Sequence, residues 1–161
     1  MQGFVMPFSI RTVTPEDLPY LTAALDRLND LHHQAVPEYF KPAAEIRQQK
    51  DISLYGKKDM CFGFVAQLNE RPIGMLLCHI RDLISPISAQ RKIGSIDELY
   101  VEPKHQSKGI GKALVAEFEQ LCRQHQATDI FVEVWEFNQA ARHFYQSVGM
   151  ATHIRWLRKS I

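Results

Sequence analysis

The chain has 161 residues, of which 45% are hydrophobic and 23% are charged, the size and composition of one globular domain. We therefore expect a single domain over residues 1–161, with a core that needs neither disulfides nor metals. Lysine and arginine number 19 against 18 acidic residues, and the formal net charge of +1 gives no bulk electrostatic reason to bind nucleic acid.

Cysteine usage and the apolar runs indicate a reducing, cytoplasmic setting. Cys61, Cys78 and Cys122 are odd in number and widely spaced within apolar runs, which argues against a disulfide framework. Residues 1–7 lack a basic leader, and no apolar run approaches the roughly 20 residues of a membrane span. We therefore expect a cytoplasmic protein with no membrane partner.

In the first part of the chain, a strand is followed by helices. Residues 7–13 predict the first strand. Thr14 then predicts a helix cap, with Asp17 as its capping-box acid, for a helix that runs to about residue 34. A second, shorter helix is predicted over residues 43–54.

The second part of the chain predicts a sheet with helices on its crossovers. The predicted strands cover residues 60–66, 73–80, 93–101, 130–135 and 150–157. Between the second and third of these, the serines and the proline of residues 81–91 predict a loop. The helices are predicted from residue 109, where apolar residues recur at three- and four-residue spacing, and over residues 138–148.

The junction between one strand and the next helix carries two glycines and no acidic residue after Glu102. Its sequence is Gln106-Ser107-Lys108-Gly109-Ile110-Gly111. The first N–H groups of a helix lack intrahelical partners and carry partial positive charge, which suits a pyrophosphate. The glycines allow phosphate oxygens to approach the backbone, and Lys108 and Lys112 add positive charge.

Two other phosphate motifs fail on the same residues. A dinucleotide fingerprint needs a third glycine where Leu114 stands, which argues against a Rossmann-like site for NAD. A P-loop needs glycine at position 106 and Ser or Thr at position 113, where this chain has Gln106 and Ala113. Two glycines by themselves would favour a tight connection before an ordinary helix. The sequence on either side of the turn therefore has to distinguish a phosphate site from an ordinary connection.

The surrounding sequence resembles the GNAT superfamily of N-acetyltransferases. Residues 96–114 are similar to its central motif, in which Gln or Arg, two variable residues, Gly, any residue, and Gly or Ala follow a hydrophobic strand. Residues 138–150 are similar to its later helix, Asn-x-x-Ala-x-x-Phe-Tyr, ending in Gly-Phe or Gly-Met. The resemblance extends from about residue 60 to the end and, more loosely, over the first strand and helix. Residues 31–58 match no pattern that we recognise.

The resemblance implies a single-domain GNAT fold of the α/β class. This is a mixed, mostly antiparallel sheet of about six to seven strands with about four helices, in which two central parallel strands splay apart. Acetyl-CoA, as cosubstrate, would lie between those strands. The residues that the motifs assign to its binding are Leu99, Tyr100, Val101, Gln106, Ser107, Lys108, Gly109, Ile110, Gly111, Lys112, Asn138 and Tyr145. Such proteins often pair, which is compatible with a homodimer.

The resemblance also assigns roles in catalysis. Tyr145 would donate a proton to the departing sulfur, and the N–H of Val101 would polarise the thioester carbonyl. Asp97 and Glu98 lie where some relatives place an acidic base. Strand alternation predicts that these two carboxylates face opposite sides of the sheet, and we slightly favour Glu98 as the base. For either carboxylate, a solvent-facing strand residue or a charge that binds the acceptor's ammonium without proton transfer is an equal alternative. The same alternatives apply to Glu133.

We therefore expect acetyl transfer to a primary amine by direct attack in a ternary complex, with no covalent intermediate. The expected acceptor is a small-molecule amine, followed by protein N-termini or lysines. The alternative from another class is a non-catalytic sensor of acetyl-CoA, against which Tyr145 argues. No metal is expected, since the metal-binding spacings are absent. His32 and His33 are weak candidates for lining the acceptor pocket.

Overall fold

In the computed structural model, which describes residues 7–161, five strands form one sheet in the order of the chain. They are β1 (Ser9–Thr12), β2 (Cys61–Leu68), β3 (Arg71–Ser85), β4 (Ser88–Val101) and β5 (Asp129–Val132). The helices are α1 (Leu18–Ala35), α2 (Ala43–Arg47), α3 (Ile110–Gln124) and α4 (Gln139–Ser147). Among these described strands, only β4 and β5 pair in parallel. The expectation about a leader falls mostly on residues 1–6, which lie outside the described chain.

Helices cover both faces of the sheet. Leu114 and Phe118 of α3 are buried against one face, and Leu21 of α1 is buried against the other. Along β3, Leu76 belongs to the α3 cluster and Met75 to the α1 cluster, as the alternation of a strand requires. The predicted α/β class is confirmed. Within residues 7–161, no helix combines the length and apolar character needed to cross a bilayer.

The predicted capping box before α1 is confirmed. The backbone N–H of Thr14 donates to Asp17 Oδ2 over 2.8 Å, and a single 3₁₀ turn, Pro15–Asp17, leads into the helix. The Arg11 guanidinium donates to both oxygens of Asp17, over 2.7 and 2.8 Å, and this pairing lowers the pKa of the Asp17 carboxyl. The pair therefore joins the start of α1 to β1.

Two of the predicted boundaries in the middle of the chain are wrong. Residues 81–91 form no long loop, because β3 and β4 continue as a hairpin until Ser85 pairs with Ser88. In that hairpin Asp82 lies opposite Lys92, and opposite charges stabilise a cross-strand pair. The helix predicted over residues 43–54 ends at Arg47.

The strand predicted over residues 150–157 is also wrong. In the described chain no helix or strand follows α4, and the large apolar side chains Ile154, Trp156 and Leu157 are exposed. A strand needs a neighbour for its N–H and C=O groups, and a favourable residue pattern does not supply one. Over residues 7–161 the sheet therefore has five strands instead of six to seven, and β5 is its last strand there instead of a central one.

Gly94 allows α3 to pack directly on β4. A Cβ at this position would lie 2.5 Å from Cys122 Sγ and 2.8 Å from Phe118 Cζ. We therefore expect Gly94→Ala to lower the free energy of unfolding by about 1–3 kcal/mol through overpacking, measured by urea denaturation. Adding Cys122→Ala removes the sulfur and should recover part of that loss. A Gly94→Ala protein as stable as the wild type would contradict this account of the packing.

Candidate active site

β4 and β5 separate part of the way along the sheet. The parallel ladder joins Ile93–Ile96 to Asp129–Val132, where β5 ends. β4 continues to Val101, so within the described chain residues 97–101 have no strand partner on that edge. The opening expected between two parallel strands is therefore present, at the last strand pair of the sheet.

Main-chain donors of β4 point into this opening. The N–H of Glu102 donates to the carbonyl oxygen of Ile73, on β3, over 2.9 Å. Because successive N–H groups of a strand point to opposite edges, the N–H of Val101 points away from β3, toward the space beyond the end of β5. The same alternation directs the N–H of Leu99 to that space. An unpaired N–H placed in this way can polarise a carbonyl group.

The turn between β4 and α3 presents a row of free N–H groups. Among the hydrogen bonds of residues 7–161, none is donated by the backbone N–H of residues 107–112. Ser107 and Gly109 have left-handed φ angles of 59° and 81°, a backbone geometry that turns successive N–H groups toward one side. A Cβ added at Gly109 would meet no atom within 4 Å. The row therefore borders open space.

Two polar side chains of the turn contact its own backbone. Gln106 Nε2 donates to the carbonyl oxygen of Val101 over 3.1 Å, and Lys108 Nζ donates to that of Lys104 over 2.9 Å. Both side chains therefore brace the turn.

The second glycine of the turn is needed for packing. A Cβ at Gly111 would approach the ring of Phe144 to 3.0 Å, so this glycine allows α4 to lie against the start of α3. This differs from the reason predicted from the sequence, which was the approach of a phosphate. Ile110 is buried in the core beside it, and Lys112 is exposed in the first turn of α3.

The two carboxylates of β4 do not face opposite sides of the sheet, so that prediction is wrong. Leu77 pairs with Glu98, but Cys78 pairs with Ile96, which leaves Asp97 as the extra residue of a β-bulge. A bulge interrupts the alternation of side chains along a strand. Both carboxylates consequently contact the segment that follows α2.

The partners of these carboxylates were not found from the sequence. Asp97 accepts a hydrogen bond from the Tyr55 hydroxyl over 2.8 Å, and His79 Nδ1 lies 2.9 Å from both of its oxygens. Glu98 forms an ion pair with Lys50. Lys50 and Tyr55 belong to residues 31–58, which matched no pattern, and His79 resembled an ordinary strand residue. Only the fold brings them together.

Tyr145 lies on α4, half-buried. Burial raises the pKa of its phenol, and the negative charge of Glu98 raises it further. The phenol is therefore protonated at pH 7 and can act as a donor. The negative charge of Glu98 therefore acts on the Tyr145 phenol. At the start of the same helix, Asn138 Oδ1 accepts a hydrogen bond from the N–H of Ala141 over 3.1 Å, so this side chain caps α4.

The side chains of two other candidate site residues, Tyr100 and Glu133, form no hydrogen bond in the described chain with the carboxylates of β4 or with Tyr145. The Tyr100 side chain is buried in the α1 cluster, with its hydroxyl 3.3 Å from Arg27 Nη1, so only the backbone of Tyr100 is available to a ligand. Glu133 follows β5 and is exposed.

Three aromatic residues lie near one another beyond the end of β5. The ring centroid of Phe40 is 4.8 Å from that of Trp135 and 5.8 Å from that of Phe137, and we call these three residues the aromatic wall. Trp135 is 51% and Phe137 40% exposed. No motif identified them.

A cavity of about 410 Å³ borders this wall. Its lining residues are Leu28, Leu31, His32, Phe137, Asn138, Gln139 and Ala140. His32 therefore lines this cavity, and its ring centroid is 5.9 Å from that of Phe137. His33 Nδ1 instead contacts the backbone oxygen of Phe40.

Two of the cysteine thiols are unsuited to nucleophilic attack. Burial raises the pKa of Cys122 to about 11 and also raises the pKa of Cys78, so both are protonated at pH 7. Within residues 7–161, no group of three or more His, Cys, Asp and Glu side chains is placed to hold a metal ion.

The sequence of this chain matches a known family. The sequence model of the acetyltransferase (GNAT) family matches residues 25–150, and the chain belongs to that family, which confirms the prediction from the two motifs. An acetyltransferase from Vibrio fischeri with a known crystal structure is 31% identical to the chain. That similarity covers 79% of this chain and 96% of the other, with a TM-score of 0.64.

Two more distant proteins extend the comparison. An uncharacterized N-acetyltransferase of Methanocaldococcus jannaschii is 26% identical over 151 residues, which is 91% of this chain. The alignment covers 62% of that relative's length. The aminoglycoside N-acetyltransferase AAC(6′)-Iy, solved in complex with CoA, is 15% identical, with 100% of this chain and 99% of the other covered and a TM-score of 0.72. At this identity the likeness shows the fold alone.

Proposed function

We propose that this chain is an acetyl-CoA-dependent N-acetyltransferase that acts on a primary amine. The observation that carries the proposal is the row of free N–H groups of residues 107–112, next to the opening in β4. A diphosphate supplies the acceptors that this row lacks, and the helix start favours its charge. Membership of the acetyltransferase family and the CoA bound to a protein of the same fold support this choice of ligand.

The reaction that we propose is direct attack in a ternary complex. When the diphosphate lies at residues 107–112, the pantetheine arm follows the free edge of β4. The thioester carbonyl then accepts a hydrogen bond from the N–H of Val101. The acceptor amine attacks this carbonyl, the carbon–sulfur bond breaks, and Tyr145 gives a proton to the leaving sulfur. Before the attack, a carboxylate of β4 takes one proton from the incoming ammonium, and after it the second proton of the amine returns to the Tyr145 phenol through solvent. The protonated thiols of Cys78 and Cys122 favour this route over an acyl-enzyme.

Of the two carboxylates, Glu98 is the better candidate for receiving the ammonium. Its charge acts on the Tyr145 phenol, and its ion-pair partner is a single half-exposed lysine. Asp97 is held by the Tyr55 hydroxyl and by the His79 ring together, which supports a role in positioning these side chains.

The cavity beside the aromatic wall supports a small-molecule amine with an apolar or aromatic substituent as the acceptor. Neither Asp nor Glu occurs among the described lining residues, so a polycationic acceptor such as an aminoglycoside finds no matching charge there. Phe137 lines the cavity and Trp135 is half-exposed beside it, and both can cover an apolar substituent.

A non-catalytic sensor of acetyl-CoA remains the competing function. A sensor needs the phosphate-binding turn but needs neither a protonated phenol nor a carboxylate beside it. A thiol-release assay with a panel of primary amines distinguishes the two. Binding of acetyl-CoA with no acetylation of any amine would favour the sensor.

The turn can be tested by calorimetry with acetyl-CoA. Gly109→Ala places a Cβ in the open space before the free N–H groups and strains a left-handed residue, so we expect affinity to fall about tenfold or more. Gly149→Ala is the matched control, because Gly149 has a φ of 91° and equally open surroundings but lies after α4. No binding by the wild type, or equal losses in the two variants, would contradict the assignment. NAD should not bind.

Removal of the Tyr145 hydroxyl tests the proton donor. We expect Tyr145→Phe to lower kcat by about 100-fold or more in the thiol-release assay, while the Kd of acetyl-CoA changes little. Tyr20→Phe is the control, since the Tyr20 hydroxyl is also buried and has no hydrogen-bond partner in the described part of the chain. Unchanged turnover in Tyr145→Phe would remove this role.

Steady-state kinetics with 2-phenylethylamine test the aromatic wall. Trp135→Ala removes apolar contact surface, so we expect KM for this amine to rise about tenfold with a smaller change in kcat. Trp156→Ala is the control, because Trp156 is 89% exposed outside every helix and strand of the described chain. A preference for amino sugars over 2-phenylethylamine, or equal effects of the two substitutions, would contradict the proposed acceptor class.

A further inference from the structure

Lys50 places an amine of the chain itself at the carboxylate that we assign to the acceptor. Its Nζ forms an ion pair with Glu98, whose side chain is only 17% exposed. The charge of Glu98 also raises the pKa of the Tyr145 phenol. One carboxylate therefore links a primary amine to the proposed proton donor.

Contacts on both sides of Lys50 hold it in this position. Before it, Arg47 of α2 forms an ion pair with Asp26 of α1, and the N–H of Lys50 donates to the carbonyl oxygen of Ile46 over 3.0 Å. After it, Ile52 is buried in the α1 cluster and the Tyr55 hydroxyl contacts Asp97. The backbone on either side is therefore anchored, which directs the lysine toward β4.

Two neighbouring lysines provide a contrast. Lys57 and Lys58 are both exposed, and neither has an ion-pair partner among the described residues. A free, solvated amine reacts with a thioester without help more readily than an amine held in an ion pair. Lys50 should therefore be the slowest of the three in an uncatalysed reaction. Preferential acetylation of Lys50 would therefore require catalysis by the proposed active site.

We propose that Lys50 is an intramolecular acceptor, so that the protein acetylates Lys50 Nζ when acetyl-CoA is present without a free amine. This inference rests on the proposed acetyltransferase function. The ammonium first loses a proton to solvent through Glu98, and the neutral amine then attacks the acetyl carbonyl carbon. A carbon–nitrogen bond forms and the carbon–sulfur bond breaks.

The protons of this step balance. The leaving sulfur takes a proton from Tyr145, and the second proton of the amine returns to the phenol through solvent. One acetyl group is transferred, one thiol is formed and one proton is released overall. The product amide carries no charge, so acetylation ends the ion pair and leaves Glu98 to a free acceptor.

The experiment is incubation of the full chain with acetyl-CoA and no amine, followed by peptide mass spectrometry over time. We expect Lys50 to be acetylated at least tenfold faster than Lys57 and Lys58, with a rate per molecule that does not depend on protein concentration. Tyr145→Phe should slow the modification of Lys50 and leave that of Lys57 and Lys58 unchanged. Lys50→Arg should abolish the fast modification, whereas the control Lys57→Arg should retain it.

Two results would overturn the inference while leaving the proposed function in place. They are acetylation of free amines with Lys50 modified no faster than Lys57 and Lys58, and a rate for Lys50 that rises in proportion to protein concentration. A rate for Lys50 that Tyr145→Phe does not change would also overturn it. Failure of the proposed function is recognised separately, because acetyl-CoA would then neither bind nor release thiol with any amine of the panel.

Discussion

The early end of β5 is the constraint on which the rest of the site depends. β4 continues beyond Ile96 with its outer N–H groups unpaired, and the turn before α3 adds a row of donors at residues 107–112. Backbone donors without partners are costly unless water or a ligand accepts from them. The ligand that we propose, extended and rich in acceptors with a diphosphate at one end, would satisfy the edge of the strand and the start of the helix together.

The β-bulge at Asp97 places both carboxylates of β4 on one face of the sheet. Without it, one carboxylate of β4 would face α3 and the core beneath that helix. With it, Asp97 and Glu98 both reach the segment after α2, where Tyr55 and Lys50 meet them. The backbone groups proposed to bind the cofactor therefore lie on β4 and the turn, and the carboxylates proposed for the acceptor lie on the α1 face of the sheet.

The ion pair of Lys50 and Glu98 bears both on the stability of the fold and on the selectivity for the acceptor amine. A carboxylate that is only 17% exposed needs a cation nearby, and in the free protein Lys50 supplies it. In the proposed reaction, an incoming ammonium would have to displace a neighbour that already satisfies this charge. Binding of the proposed acceptor would then depend on contacts away from the charge, for which the aromatic wall offers a surface.

Local signals were sufficient where the physical cause was local. The capping box of Thr14 and Asp17, the turn with Gly109, and the cap Asn138 each depend on residues within a few positions of one another. Predictions failed where the partner was distant along the chain. The hairpin beyond Ile80 depended on a facing strand, and the strand predicted over residues 150–157 found no edge in the described chain.

By itself, the sequence determined the α/β class, the family and the turn that faces the opening. These are encoded by spacing along contiguous residues, because a helix start or a strand presents its backbone groups in a way that neighbouring residues set. Only the tertiary structure decided that Asp97 and Glu98 share a face, that Lys50 pairs with Glu98, and that Phe40 meets Trp135. Each of these depends on a bulge or on packing between segments many residues apart, and no local pattern records such a contact.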